Sequence, residues 1–320
     1  MSYNLKEMVN KKVRLTSGHR MCAGCGAPVI VRNVLRALKD DDNAVVSVAT
    51  GCLEVSTCIY PYTSWKDVSF LHTAFACSSA CASGIQRTYK KLKNDGKLKK
   101  ETKFLGFGGD GGTYDIGLQS LSGAMERGTD YAYFCYDNGA YMNTGTQRSS
   151  STPHFSDTTT SPAGKVLPGK MEPRKDLTEI MVSHHIPYVA QTALFGNMKD
   201  LYEKAEEAIY TEGPCFVNVL SPCPRGWGYN TEDLAIISKL AVDTCFWPLY
   251  EVRDGKYKIT YKPANKLPVE EFLRPQKRFR HMFKEGNEWM IKSFQEEVDK
   301  KWNFLLMMEE LTNKEDNLDK

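Results

Sequence analysis

Two short apolar runs, each closed by a carboxylate or an amide beside glycine, constrain this chain most. Phe104-Leu105-Gly106-Phe107 leads into Gly109-Asp110-Gly111-Gly112, and Tyr131 to Tyr136 leads into Asp137-Asn138 after an insert of helical length, Ile116 to Arg127. Parallel strands need a long crossover, and the insert supplies it. Their carboxyl ends then lie side by side on one rim of a sheet, with Asp110 and Asn138 in one crevice. Two hard oxygen ligands beside glycines that admit backbone amides suit magnesium together with a pyrophosphate rather than a metal alone.

The remaining pattern predicts an α/β fold: an open, mostly parallel sheet with helices on both faces. Ala27 to Asp40 and Phe75 to Leu92 have helical spacing, and Val45 to Ala49 is a β-branched run. Strands are expected at Tyr188 to Thr192 and at Phe216 to Leu220, the second leading into Ser221-Pro222-Cys223, with helices from Asp176 and around Met198, Leu201, Tyr202, Ala205 and Ile209. From Gly139 to Lys175 no periodicity survives, and so long a loop in a compact domain points to binding or catalysis. After about residue 235 the character changes. Leu249 to Val252 and Tyr257 to Tyr261 flank Asp254-Gly255, a hairpin signal, and a charged helical stretch follows with Trp289, Phe294, Val298, Trp302 and Leu305 spaced as one buried stripe. The predicted division is residues 1–234 as the cofactor-binding α/β unit and 235–320 as a hairpin and helical extension packing on the core or on a partner subunit, with fraying from about Thr312.

The 42 basic and 39 acidic residues leave a net charge of +3, which gives no nucleic-acid footprint. No apolar run of about 18 residues suggests a membrane span, and Met1 to Arg14 are too charged for a signal peptide, so a cytoplasmic location is expected. Ten cysteines in a reducing compartment raise metal binding or catalysis rather than disulfides. Cys22 and Cys25 form a CxxC just before a predicted helix, while Cys52 and Cys223 each follow a predicted strand, on the rim that carries Asp110 and Asn138. Four thiolates there would hold either an iron-sulfur cluster or a structural zinc. Beside a site of the thiamine diphosphate type, an electron acceptor contributes to the chemistry and an inert zinc does not. Cys58, Cys77, Cys81, Cys135, Cys215 and Cys245 fall in strand or helix patterns and read as packing residues.

The segments Gly18 to Gly26, Ala49 to Glu54, Gly108 to Gly117, Tyr136 to Gly145 and Ser221-Pro222-Cys223, in this order, resemble the β subunit of the pyruvate:ferredoxin oxidoreductases, in the 2-oxoacid:ferredoxin oxidoreductase superfamily. The resemblance extends through Ile237 to Val252. It implies one 4Fe-4S cluster on Cys22, Cys25, Cys52 and Cys223, and magnesium on the side chains of Asp110 and Asn138 and the carbonyl of Ala140. It also implies thiamine diphosphate against Gly51, Cys52, Gly109, Gly111, Gly112 and Asn143, with Asn143 as the active-site asparagine. The implied reaction is oxidative decarboxylation of pyruvate with coenzyme A to acetyl-CoA and carbon dioxide, with electrons passed to ferredoxin. Oxalate, 2-oxobutyrate, 2-oxoglutarate and branched-chain 2-oxo acids remain alternative substrates, and a non-redox thiamine decarboxylase subunit and an electron-relay subunit are the alternative classes. Ala27, Thr73 and Ala76 depart from residues common in the family. The glutamate that activates thiamine, the contacts to the substrate carboxylate and a ferredoxin-type cysteine run are not evident in the sequence, so they are expected on other subunits of the same enzyme.

Overall fold

The computed structural model describes residues 4–59, 62–195 and 198–314. Its eight strands form one sheet in the order β2-β1-β3-β4-β6-β5-β7-β8. They are β1 (Asn43–Ala49), β2 (Ser69–Thr73), β3 (Thr102–Gly109), β4 (Tyr131–Asp137), β5 (Tyr188–Ala193), β6 (Pro214–Leu220), β7 (Tyr250–Arg253) and β8 (Lys256–Ile259). The first six run parallel, and the β7–β8 hairpin adds antiparallel to β5. Every residue of β4, β5 and β6 is buried. Such strands read as unbroken apolar runs because helices cover both of their faces.

Helices Gly26–Arg36 and Met198–Tyr210 pack through Ile30, Val34, Leu201 and Ala205 into the core on one face. On the other, Ser78–Asn94, Leu118–Glu126 and the long helix Glu288–Lys314 supply Ala82, Leu121 and Leu305. A third apolar cluster lies past the strand ends and joins Leu220, Phe155, Trp227, Ile237, Trp247, Phe272 and Phe294. It ties the long loop and the chain after residue 235 to the sheet.

The hairpin forms around Asp254 and Gly255, both at positive φ, as the type I′ turn of an Asp-Gly pair requires. It continues the sheet, and the last helix packs on the core beside it. Two expectations need correction there. Trp289 is 51% exposed, and the buried stripe begins instead at Met290, running on through Phe294, Val298 and Leu305. The helix also runs on through Thr312 to Lys314, where fraying was expected; residues 315–320 lie outside the described residues.

The crossover after β3 differs from a simple helix in a way that matters for the site. Asp110 is followed by a π-helical turn, Gly111–Asp115, before Leu118–Glu126 begins. Single π turns recur at functional sites because they displace the backbone that carries the ligands. Strand β2, which no apolar alternation announced, is a largely exposed edge.

Candidate functional site

Strands β3 and β4 pair with Gly109 opposite Tyr136, so Asp110 and Asp137-Asn138 leave the sheet side by side. Strand β6 flanks β4, with Leu220 opposite Asp137, and delivers Cys223 to the same rim. Strand β1, on the other side of β3, delivers Cys52 through Thr50 and Gly51. A Cβ on Gly51 would stand 2.9 Å from the Tyr136 hydroxyl, and one on Gly111 would stand 2.6 Å from the Tyr141 ring. Both approaches are open only to glycine.

Asp110 is fully buried. Its Oδ2 accepts from the Ser149 hydroxyl at 2.5 Å and its Oδ1 from the Asn138 backbone N–H at 3.4 Å. Burial, and then the nearby Asp137, push its carboxyl well above the usual range, and no lysine or arginine pairs with it among the described residues. One end of the Asn138 amide sits 2.9 Å from Asp110 Oδ1 and 2.8 Å from the Ala140 carbonyl oxygen. With its nitrogen on that side, the amide donates to both. With its oxygen there, that oxygen stands from each of the other two at the spacing of adjacent ligands on an octahedral magnesium, about 2.9 Å for bonds of about 2.0–2.1 Å. An unneutralised buried carboxylate with two neutral oxygens at that spacing fits a small divalent cation.

A cleft of about 100 Å³, open to solvent, begins at this corner. Thr50, Gly51, Cys52, Gly109, Asp110, Gly111, Gly112, Asn138, Ala140 and Asn143 line it, along with Phe75, Tyr136, Tyr141 and Met142. Asn143 is exposed at its mouth, and its side chain makes no hydrogen bond among the described residues. The turn around it is held by Tyr141 N–H to the Gln147 carbonyl and Thr146 N–H to the Tyr141 carbonyl, both at 2.9 Å. A larger surface depression, lined by Lys39, Asp200, Lys204 and Arg253 among others, shares none of these residues.

The cysteine side of the rim is assembled by backbone contacts. Gly26 N–H donates to the Pro222 carbonyl at 3.1 Å, which sets the CxxC turn against Cys223, and Arg20 N–H donates to the Ser56 carbonyl at 2.9 Å, which sets it against the helix of Cys52. Cys223 Sγ accepts from Gly226 N–H at 3.4 Å. Burial pushes the Cys25 and Cys52 thiols up to about 12, and neighbouring thiols of the set add to this in both cases. The four thiols therefore lie within electrostatic range of one another, and Cys52 also within range of Asp110. Among the described residues, no three His, Cys, Asp or Glu side chains close to the spacing of a single metal ion. The Trp227 indole, four residues past Cys223, donates to the Asn138 carbonyl at 2.6 Å and so couples the cysteine turn to the oxygen corner.

Several residues that complete this site carried no pattern in the sequence. The loop from Gly139 to Lys175 is held by Ser149 on Asp110, by Ser150 on Asp115, and by Ser151 and Arg174 on Asp137. Arg174 pairs with Asp137 at 2.5 Å, donates to the Tyr114 hydroxyl and stacks on Trp247 at 4.4 Å. The run Ser149-Ser150-Ser151-Thr152 was the one visible signal. Of the departures, Thr73 is buried and donates to the Val48 carbonyl at 3.0 Å, so it serves the β1–β2 edge; Phe75, not Ala76, lines the cleft. Arg174→Met should lower stability by about 3 kcal/mol, because it leaves a buried carboxylate unpaired. Thermal unfolding checks this, and an unchanged melting temperature would remove the pair from the anchoring of the loop.

Residues 49–219 match the model of the thiamine pyrophosphate enzymes' C-terminal TPP-binding domain. The pyruvate synthase subunit PorB of Thermotoga maritima is 49% identical over 320 residues, covering 98% of each chain. That of Methanocaldococcus jannaschii is 50% identical over 90% of this chain and 95% of its own. The ketoisovalerate oxidoreductase subunit VorB of Pyrococcus horikoshii is 40% identical over 92% and 93%. Among solved structures, a 2-oxoglutarate:ferredoxin oxidoreductase from Magnetococcus marinus shares the fold, with a TM-score of 0.56 and 22% identity over 75% of this chain and 84% of that one.

Proposed function

The chain belongs to the pyruvate synthase PorB subunits, within the thiamine pyrophosphate enzymes, and from that premise we propose that it holds thiamine diphosphate, magnesium and one 4Fe-4S cluster for the oxidation of pyruvate. It is a subunit of a thiamine-dependent 2-oxoacid oxidoreductase. The observation that carries the finer reading is the meeting of the Asp110–Asn138–Ala140 oxygen corner with Cys52 in the lining of one cleft.

Asp110, Asn138 and the Ala140 carbonyl would hold magnesium, which would supply positive charge for the diphosphate. Gly111 and Gly112 would bring backbone close to the phosphates, since neither carries a side chain. Thiamine diphosphate, when bound, supplies the ring that stabilises the carbanion left as a 2-oxo acid loses carbon dioxide, and the cluster supplies a one-electron acceptor beside it. The residues of this chain bind and orient. Asn143, free at the mouth of the cleft, donates its amide to the reacting oxygen of the substrate. Phe75 and Tyr141, in edge contact with ring centroids 5.7 Å apart, form an apolar wall that sheds water. Cys22, Cys25, Cys52 and Cys223 would carry the irons, and the raised thiols of Cys25, Cys52 and Cys223 would be relieved by metal in place of their protons.

Other subunits supply the glutamate that activates thiamine, the grip on the substrate carboxylate and the further clusters that lead to ferredoxin; coenzyme A takes up the acyl group. No helix among the described residues is long and apolar enough to cross a membrane.

Cys52→Ser in the anaerobically purified complex tests the reading. We expect loss of about four irons per chain, with matching acid-labile sulfide, retention of thiamine diphosphate, and loss of pyruvate-dependent viologen reduction. Unchanged iron, or zinc in its place, would contradict the cluster. A wild-type preference for 2-oxoisovalerate over pyruvate would move the substrate toward that in the name of the Pyrococcus relative.

A further inference from the structure

Arg278 is 5% exposed, yet it makes no ion pair among the described residues. It lies in the short 3-10 segment Lys277–Phe283, which is fixed to the cysteine turn by Lys277 N–H on the Gly228 carbonyl at 3.4 Å. Its Nε donates to Gln276 Oε1 at 2.8 Å, and its guanidinium lies over the Trp227 ring at 4.0 Å. Its Nη2 is buried without a partner. A Cβ on Gly139 would stand 3.2 Å from its Nη1. The guanidinium is thus wedged between two turns: that of Cys223, whose carbonyl accepts from Trp227 N–H at 2.9 Å, and that of Asn138 and Gly139. It does not line the cleft.

A buried cation without a counter-ion is costly, and its neighbours narrow what could offset it. Of the anionic groups in the two turns it bridges, Asp137 adjoins Asn138 and Gly139, and Cys223 opens the turn whose Trp227 ring the guanidinium covers. Asp137 is already held by Arg174, Ser151 and Gly139 N–H. Asp110 faces Ser149 and the oxygen corner. Cys223, by contrast, accepts among the described residues only from backbone N–H groups of its own turn. The position left without an anion is therefore the thiol side.

We propose that Arg278 is the counter-charge of the cluster held by Cys22, Cys25, Cys52 and Cys223, and that it raises the reduction potential of that cluster; the inference rests on the cluster reading above. When one electron arrives from the 2-oxo acid at the thiamine site, the negative charge of the cluster and its thiolates grows by one unit. A fixed cation stabilises this reduced form, and the electron then leaves for ferredoxin through the other subunits. Arginine suits the position because its planar group stacks on Trp227 and keeps its charge.

The test is an EPR-monitored redox titration of the anaerobic complex, following the signal that disappears in Cys22→Ser. In Arg278→Gln, or in Arg278→Met should the amide not be accommodated, the midpoint should fall by at least a tenfold change in the oxidised-to-reduced ratio, about 59 mV for one electron. Arg278→Lys should shift it far less, and iron and sulfide should stay at wild-type levels in all three. An unmoved midpoint in the neutral variants, with the cluster intact, would overturn the proposal. Failure of the underlying reading is distinguishable, because the wild-type complex would then contain no iron that depends on Cys22.

Discussion

Asp110→Asn should yield an assembled complex that has lost magnesium and thiamine diphosphate while keeping its iron. The substitution preserves size and an oxygen toward Ser149, but removes the one negative charge at a corner whose other oxygens, from Asn138 and Ala140, are neutral. Removing one partner of a buried charge pair costs about 3–5 kcal/mol. A loss of about 4 kcal/mol weakens cofactor retention by about a thousandfold. Turnover should fall by at least as much at ordinary thiamine diphosphate concentrations and recover in part at very high ones. Stability should move the other way. Burial holds the Asp110 carboxyl above its unfolded value, so its ionised form opposes folding at neutral pH, and the opposition fades as the pH falls through the raised value. The metal-free Asn variant should therefore melt no lower than metal-free wild type. Cofactor analysis and calorimetry read both effects, and normal magnesium and thiamine diphosphate content would contradict the assignment of the corner.

Asn143→Ala should have the opposite profile, with both cofactors retained and chemistry lost. Its side chain makes no hydrogen bond among the described residues; it is exposed at the mouth of the cleft on a turn closed by backbone hydrogen bonds. Truncation therefore removes a donor without disturbing its support. Loss of one donor aimed at a charge-developing oxygen lowers kcat by about 10²–10³-fold. We expect a fall in kcat of that size with little change in melting temperature or in thiamine content. Turnover within a factor of two of wild type would take Asn143 off the list of catalytic groups.

The parts of this site that could be read in the sequence are those fixed by strand order. Once two apolar runs are joined by a helical insert, their ends must share a rim, so Asp110 and Asn138 meet whatever the loops do; Cys52 and Cys223 follow for the same reason. Central strands were visible because burial on both faces leaves continuous apolar runs. Edge strand β2 was not, because its exposed face carries no such pattern. The loop from Gly139 to Lys175 looked shapeless because it is organised by polar contacts to Asp110, Asp115 and Asp137, and serine or arginine side chains leave no periodic trace. Trp227 and Arg278 were silent for a related reason. Each acts through a partner far away in the chain, Asn138 in one case and the cysteine turn in the other. The Trp289 error came from extending a helical stripe into the first turn, where Trp289 is half exposed and meets Phe155 edge-on.

The account rests on a diphosphate clamp and a sulfur-ligated iron centre sharing one rim of one domain. Anomalous scattering at the iron edge, from anaerobically grown crystals of the whole complex with thiamine diphosphate and magnesium, tests this most directly. The account predicts an iron peak framed by Cys22, Cys25, Cys52 and Cys223, with diphosphate density at Asp110 and Asn138 on the neighbouring strand ends. Iron absent from this subunit, or diphosphate bound away from that corner, would contradict it.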